Sequence, residues 1–189
     1  MSNKTSDKKN TLAVIALITA SLSLLTAALP YVRPYIQPLQ DRRARSILLS
    51  YMPAKVRTTC TTDTSDDFRD AVVSIECDAK GVTIVRVGLY RDSKSLYAHY
   101  RETVRKAHLE YRDGKGCERG ESSERSYVEA DTNTALGRFA CWIDDPDKVS
   151  RMEWTVSDIN AQAYAFFTGD LKSLYKWWEG FYIQRDNPT

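Results

Sequence analysis

Residues 91–100 read RDSKSLYAHY and residues 169–178 read GDLKSLYKWW, so the chain contains Asp-x-Lys-Ser-Leu-Tyr twice. Aspartate is a favourable N-cap residue, and the apolar residues that follow it fall at helical spacing. Each stretch therefore predicts the first turns of an amphipathic helix, beginning near Asp92 and near Asp170. The leucine should fill the centre of the buried stripe, and the tyrosine should cover its margin with the hydroxyl near water.

Alternating apolar and polar residues precede each helix, as expected for half-buried β-strands. Residues 71–77 (AVVSIEC) and 82–90 (VTIVRVGLY) are separated by a short turn and predict a β-hairpin. The later strands are predicted at GRFACWI (137–143), RMEWTVS (151–157) and AQAYAFF (161–167). The expected fold class is α+β with an antiparallel sheet.

The recurring motif suggests that the domain consists of two divergent strand–strand–helix halves, about residues 47–112 and 113–185. We interpret these halves as an old duplication, because the spacings between corresponding residues differ too much for a regular repeat. The alternative is that Lys-Ser-Leu-Tyr recurs because it suits amphipathic helices in general.

The N-terminal region predicts a membrane anchor. No charged residue occurs between Thr11 and Val32, and 22 helical residues span about 33 Å, enough to cross a bilayer core of about 30 Å. Residues 1–10 would be a cytoplasmic tail and residues 11–32 a transmembrane helix in contact with lipid. Residues 33–46 contain prolines and would form a stalk, and residues 47–189 would form the extracytoplasmic domain. A cleaved signal peptide and a buried core helix are the alternatives for residues 11–32.

The cysteines favour a location outside the cytoplasm. Cys60, Cys77, Cys117 and Cys141 all follow the apolar run, and none has zinc-ligand spacing. Disulfides in an oxidising compartment fit this even number best, whereas buried thiols in a cytosolic domain are the alternative. Four cysteines allow three connectivities, of which the duplication predicts the local one, Cys60–Cys77 and Cys117–Cys141. The protein is thus expected to be a single-pass cell-membrane protein with its C-terminal domain outside.

Charge argues against a nucleic-acid partner. The chain has a net charge of +2, which Lys4, Lys8 and Lys9 against Asp7 already supply, so residues 33–189 are neutral. A nucleic-acid-binding domain needs a basic surface that neutralises phosphates.

The residues that carry chemistry form no recognisable catalytic or metal motif. His99 and His108 should lie on different sides of the helix as solvated residues, and Asp63, Asp66 and Asp67 should occupy a solvated turn. A calcium loop at Asp144, Asp145 and Asp147 lacks the required ligand pattern, and no P-loop, G-x-S-x-G or H-E-x-x-H occurs. No enzyme activity and no cofactor are expected.

Tryptophan supplies the candidate binding residues. Trp177 should lie off the buried stripe formed by Leu171, Leu174 and Trp178, and Trp142 should also face outward. These two residues are the candidates to line a groove for a ligand or partner, with core packing as the alternative, and Trp177→Ala should weaken that association without unfolding the domain.

Three segments, Leu48–Cys60, Gly137–Cys141 and Asp170–Trp178, resemble the extracytoplasmic domains that follow the single membrane helix of actinobacterial serine/threonine protein kinases and of stand-alone anchored relatives. The resemblance covers about 140 residues from Ile47 onward. Because ten residues precede the apolar run, no kinase domain is expected and no phosphotransfer is implied. What the resemblance implies is a sensor-like or binding domain.

The function expected from the sequence is therefore that of an anchored extracytoplasmic binding or sensor-like domain. Its partner would be a cell-envelope ligand or a membrane protein. A cell-envelope enzyme with an unrecognised site and a structural accessory subunit of a membrane complex are the alternatives.

Overall fold

A computed structural model describes residues 41–109, 116–128, 134–144 and 148–186, without the side chains of 182–186. The predicted tail and transmembrane helix, the stalk up to residue 40, and Asp145 and Asp147 lie outside these residues. Among the helices that are described, none is long and apolar enough to cross a membrane.

The described residues form an α+β domain. Its helices are α1 (residues 41–50), α2 (Ala54–Arg57), α3 (Ser93–Lys106), α4 (Gly116–Arg119) and α5 (Leu171–Asp186). Its strands are β1 (Thr61–Thr62), β2 (Val73–Cys77), β3 (Ile84–Leu89), β4 (Ser123–Val128), β5 (Ala135–Asp144), β6 (Val149–Val156) and β7 (Ala161–Phe167). All seven strands pair antiparallel in one sheet of order β1-β2-β3-β7-β6-β5-β4.

Strand alternation divides the sheet into two different faces. Val87, Met152 and Ala163 represent the face that packs with α1 and α5 in the main apolar core. The residues that alternate with them along each strand lie under α3, which packs on Ala140 and Tyr164. The sheet is therefore covered by helices on both faces, and the predicted buried stripe of α5, formed by Leu171, Leu174 and Trp178, is confirmed.

The predicted stalk ends earlier than residue 46. Residues 41–46 are helical, and Ala44 lies in the same apolar core as Leu48 and Met52. Arg45 also donates hydrogen bonds to Thr62 Oγ1 (3.0 Å) and to the Cys60 carbonyl (2.9 Å). The compact domain thus begins at Arg43 rather than at residue 47.

The predicted disulfide pairing is confirmed. Cys60 bonds to Cys77 with their Cα atoms 4.0 Å apart, and Cys117 bonds to Cys141 with a Cα distance of 5.9 Å. The first bridge ties the segment after α2 to β2, and the second ties α4 to β5. Both cross-links restrict the conformations that are accessible to the unfolded chain.

The two Asp-x-Lys-Ser-Leu-Tyr motifs have the same local role. Asp92 Oδ1 accepts from the Ser95 amide (2.8 Å), and Asp170 Oδ1 accepts from the Ser173 amide (2.9 Å). The leucine that follows each serine is fully buried. Capping and packing therefore account for the recurrence of the motif.

The arrangement of the two helices argues against a duplicated unit. Helices α3 and α5 lie on opposite faces of the sheet, although each follows the second strand of a hairpin. Each unit can be viewed from the side of the sheet on which its helix packs, with the strand that precedes the helix, β3 or β7, pointing up. In this view β2 lies on one side of β3, whereas β6 lies on the opposite side of β7. The two hairpin–helix units have opposite hands, so no rotation superposes them.

Candidate functional site

The two predicted binding residues, Trp142 and Trp177, lie on opposite faces of the sheet and do not share a groove. Trp142 is 6% exposed, and its Nε1 donates to Asp144 Oδ1 (2.5 Å). The prediction that Trp142 faces outward is wrong because α3 covers that face. Trp177 is half-buried at the edge of α5, and its Nε1 donates to the Lys80 carbonyl (3.0 Å).

The sheet face under α3 is unusually polar. A cross-strand row runs through Glu76, Arg86, Tyr164, Glu153, Ala140 and Glu124 on six adjacent strands. Side chains in such a row are direct neighbours and interact. Ala140 leaves room for Tyr100 of α3, whose hydroxyl donates to Glu124 Oε1 (3.3 Å).

Arg86 organises the row on the side near β2. Its guanidinium donates to Glu76 Oε2 (2.6 Å), to the Tyr164 hydroxyl (2.8 Å) and to Asp67. Asp67 also accepts from Tyr164; burial acts to raise the pKa of its carboxyl, but these hydrogen bonds prevail and the pKa is lowered. Asp67 lies in a turn and its side chain is 40% exposed, as the sequence predicts, although Arg86 and Tyr164 hold its carboxylate in place.

Asp63, unlike Asp67, is not the solvated residue that we expected. It is buried and accepts from the amide and hydroxyl of Ser65, both at 2.9 Å. Its Oδ1 lies 3.7 Å from Arg86 Nε. Across the described residues, no three metal-ligating side chains converge on one point.

Glu153 lies at the centre of the polar face and is fully buried. Burial raises the pKa of its carboxyl to about 7, although Arg151 and a hydrogen bond from Gln162 act in the opposite direction. Its Oε2 has no hydrogen-bond partner among the described residues. Gln162 in turn contacts His99 Nδ1 through its Oε1 (3.1 Å), so His99 faces the sheet and is not the solvated residue that we expected.

Arg151 stands beside Glu153 in an aromatic cage. Its guanidinium carbon lies 4.5 Å from the ring centroid of Tyr164, 4.9 Å from that of Phe166 and 5.3 Å from that of Trp142. Such rings stabilise a cation over their faces. Arg151 Nη1 forms a long ion pair with Asp144 Oδ2 (3.9 Å), and Arg151 Nε has no hydrogen-bond partner among the described residues.

The cage opens into a cavity of about 830 Å³ between α3 and the sheet, which we call the α3 groove. Its walls include His99, Thr103 and Lys106 from α3 and Trp142, Asp144 and Arg151 from the sheet. This volume lies within the usual range for small-molecule sites, about 300–1,000 Å³. The groove combines a rigid aromatic wall with charges of both signs: its described lining includes six carboxylates and four basic side chains, of which Arg151 lies against the aromatic wall.

Sequence reasoning missed this site for one reason. Arg86, Arg151 and Glu153 alternate with buried apolar residues, which is the pattern of a strand whose polar side faces water. The alternation was visible, but nothing in it indicated that α3 would cover the polar side.

No protein-family model, curated protein or solved structure matches this chain. The class of protein is therefore defined by its fold and site alone: a disulfide-bonded α+β domain with a seven-stranded antiparallel sheet and a polar groove under one helix. The resemblance to kinase-linked extracytoplasmic domains stays an expectation.

Proposed function

We propose that the chain is a single-pass, membrane-anchored extracytoplasmic domain that binds a small anionic ligand in the α3 groove and is not catalytic. The observation that carries the proposal is Arg151, whose guanidinium is held by three rings in the wall of the α3 groove. The planar pair of terminal donors of a guanidinium is suited to bind a carboxylate or phosphate in a bidentate manner.

The location proposed rests on two observations. Residues 11–32 lack charge and have the length of a membrane span. Both disulfides lie in the C-terminal domain, which supports an oxidising environment for it.

A reporter enzyme that is active only outside the cytoplasm, fused after Thr189, should be active in cells. A matched fusion to a reporter that works only in the cytoplasm should be inactive. The reverse pattern would show that the C-terminal domain is cytoplasmic, and activity of the first reporter in the culture medium alone would show that residues 11–32 are a cleaved signal.

Arg151→Met should weaken binding of the anionic ligand at least about 30-fold, because removing one partner of a buried charge pair costs about 2 kcal/mol or more. A panel of small carboxylates and phosphates with their neutral amide and alcohol analogues can be screened by thermal unfolding of the full chain. A ligand at 100 times its Kd adds about 2.7 kcal/mol of stability. For a domain of this size that corresponds to a shift of about 5–10 °C in Tm.

Arg119→Met is the matched control, since Arg119 is exposed on α4 and pairs with Glu121 (3.0 Å) away from the groove. Arg151→Lys should retain only part of the affinity, because an ammonium lacks the planar pair of donors. Binding that survives Arg151→Met, or a panel in which only neutral compounds shift Tm, would contradict the proposed site.

An envelope enzyme is the rival function, and Glu153 is the observation in its favour. A buried carboxyl with a pKa of about 7 has the proton affinity of a general acid or base. However, Glu153 is not among the residues that line the α3 groove, and its Oε1 accepts a hydrogen bond from Gln162 Nε2. A group that does not reach the cavity supports binding better than catalysis.

A further inference from the structure

A second surface, on the opposite face of the domain from the α3 groove, combines aromatic and basic side chains. We call it the Trp177 surface and define it by Trp177, Phe181, Lys55, Lys80 and Lys176. The rings of Trp177 and Phe181 stack with centroids 4.9 Å apart, and they form one wall of a cavity of about 760 Å³. All three lysines are exposed.

The indole of Trp177 is held in a fixed position. Its Nε1 donates to the Lys80 carbonyl, and the next residue, Gly81, has a φ of +99°. A Cβ at position 81 would lie 2.9 Å from Trp177 Cδ1, so both the backbone conformation and the close approach of the indole require glycine there. The aromatic pair is therefore a rigid feature of the surface.

The charges on this surface have one predominant sign. Of the described residues that line the cavity, three are lysines and Asp78 is the one acid. Tryptophan is enriched at the membrane–water interface, and lysines near a bilayer are attracted to anionic lipid headgroups. The combination matches the two layers of an anionic membrane surface.

We propose that the Trp177 surface docks on anionic lipid headgroups of the membrane that carries the anchor. This inference rests on the proposed anchoring, which would keep the domain within reach of the bilayer. A second copy of the chain fits less well, because a symmetric contact places the same patch on both subunits and would bring six lysines together. Docking would give the domain a defined orientation on the membrane.

The experiment uses the full chain reconstituted in phosphatidylcholine vesicles with or without about a third phosphatidylglycerol. Lipids brominated near the headgroup quench tryptophan fluorescence on contact, and the other three tryptophans, at positions 142, 154 and 178, are buried. The difference in quenching between the unmodified chain and Trp177→Phe reports Trp177 alone. We expect this difference in the vesicles that contain phosphatidylglycerol and a much smaller one in phosphatidylcholine alone.

Lys80→Glu/Lys176→Glu keeps the indole and reverses two charges, so it should lower the ratio of docked to undocked domain at least about twentyfold. Arg91→Glu/Arg101→Glu makes the same change in charge at exposed positions on the α3 side and should have little effect. Raising the salt concentration should mimic the lysine reversal, because salt screens exposed charges.

Two outcomes would overturn the inference. One is Trp177-dependent quenching that is equal in both vesicle types or absent from both. The other is a Trp177 that is shielded from an aqueous quencher in detergent without lipid, which would show that another part of the chain or a second copy covers the surface. Extraction of the vesicles with alkaline carbonate tests the anchor separately, since a released chain refutes the anchoring whatever the quenching shows.

Discussion

Trp178→Ala should lower the free energy of unfolding by about 3–5 kcal/mol, the range for truncating a large buried aromatic residue. Trp178 is 5% exposed and packs its ring against Phe139, with centroids 4.9 Å apart, and edge-on against Tyr127 at 5.4 Å. These contacts join α5 to the centre of the main apolar core. Denaturant unfolding of the variant and of the unmodified chain, each with its disulfides intact and reduced, measures the loss.

Trp177→Ala is the matched comparison, one residue away on the same helix. Its half-buried ring loses the stack on Phe181 and one hydrogen bond to Lys80, so we expect a cost of about 1–2 kcal/mol. Equal losses for the two variants would show that Trp177 belongs to the core. That result would also remove it as a binding residue.

The second large effect is a pH-dependent stability that originates at Glu153. The pKa of this carboxyl rises from its ordinary value of 4.5 to about 7 in the folded protein, mainly because of burial. Between these two values the folded state holds a proton that the unfolded state has released. Its contribution is therefore fully present below about pH 4.5 and is lost as the pH rises through about 7.

Each unit of pKa difference corresponds to about 1.36 kcal/mol, so the loss amounts to about 3 kcal/mol. Glu153→Gln should abolish it, because an amide oxygen can still accept from Gln162 Nε2 and carries no charge. Other groups around Glu153, including Arg151, Asp144 and Asp67, remain in both proteins. The difference between the two stability–pH curves therefore isolates Glu153.

We expect the variant to match the unmodified protein near pH 4.5 and to exceed it by about 3 kcal/mol above pH 8. Denaturant unfolding at five or six pH values measures both curves. Glu121→Gln, at an exposed position beside α4, is the control for loss of a negative charge. A Glu153→Gln variant that is less stable than the unmodified protein at every pH would contradict the assigned burial.

Local patterns in the sequence were sufficient for most of the secondary structure. The Asp-x-Lys-Ser-Leu-Tyr motifs located the starts of α3 and α5, since N-caps and helical periodicity depend on neighbours within one or two turns. Strand alternation located the hairpin of β2 and β3 and the later strands β5, β6 and β7. The local disulfide pairing was also predicted correctly.

The site could not be found in the same way, because it depends on contacts between distant segments. Arg151 and Trp142 are neighbours through the register of β6 with β5, and Tyr164 and Phe166 complete the cage from β7. The register of a strand pair is set by the packing of the whole sheet. The pairing of the cysteines was predicted correctly, but from a duplication. The opposite hands of the two hairpin–helix units do not support that duplication.

The order of residues along the chain determines which side chains share a face of a helix or a strand, because that depends on periods of 3.6 and 2 residues. It does not determine what covers that face. Helix α3 lies on the polar side of the sheet and α5 on the apolar side, and this choice buries Glu153, cages Arg151 and separates Trp142 from Trp177. The free energy of that choice comes from packing and desolvation summed over residues far apart in sequence, and it is settled only when the layers assemble.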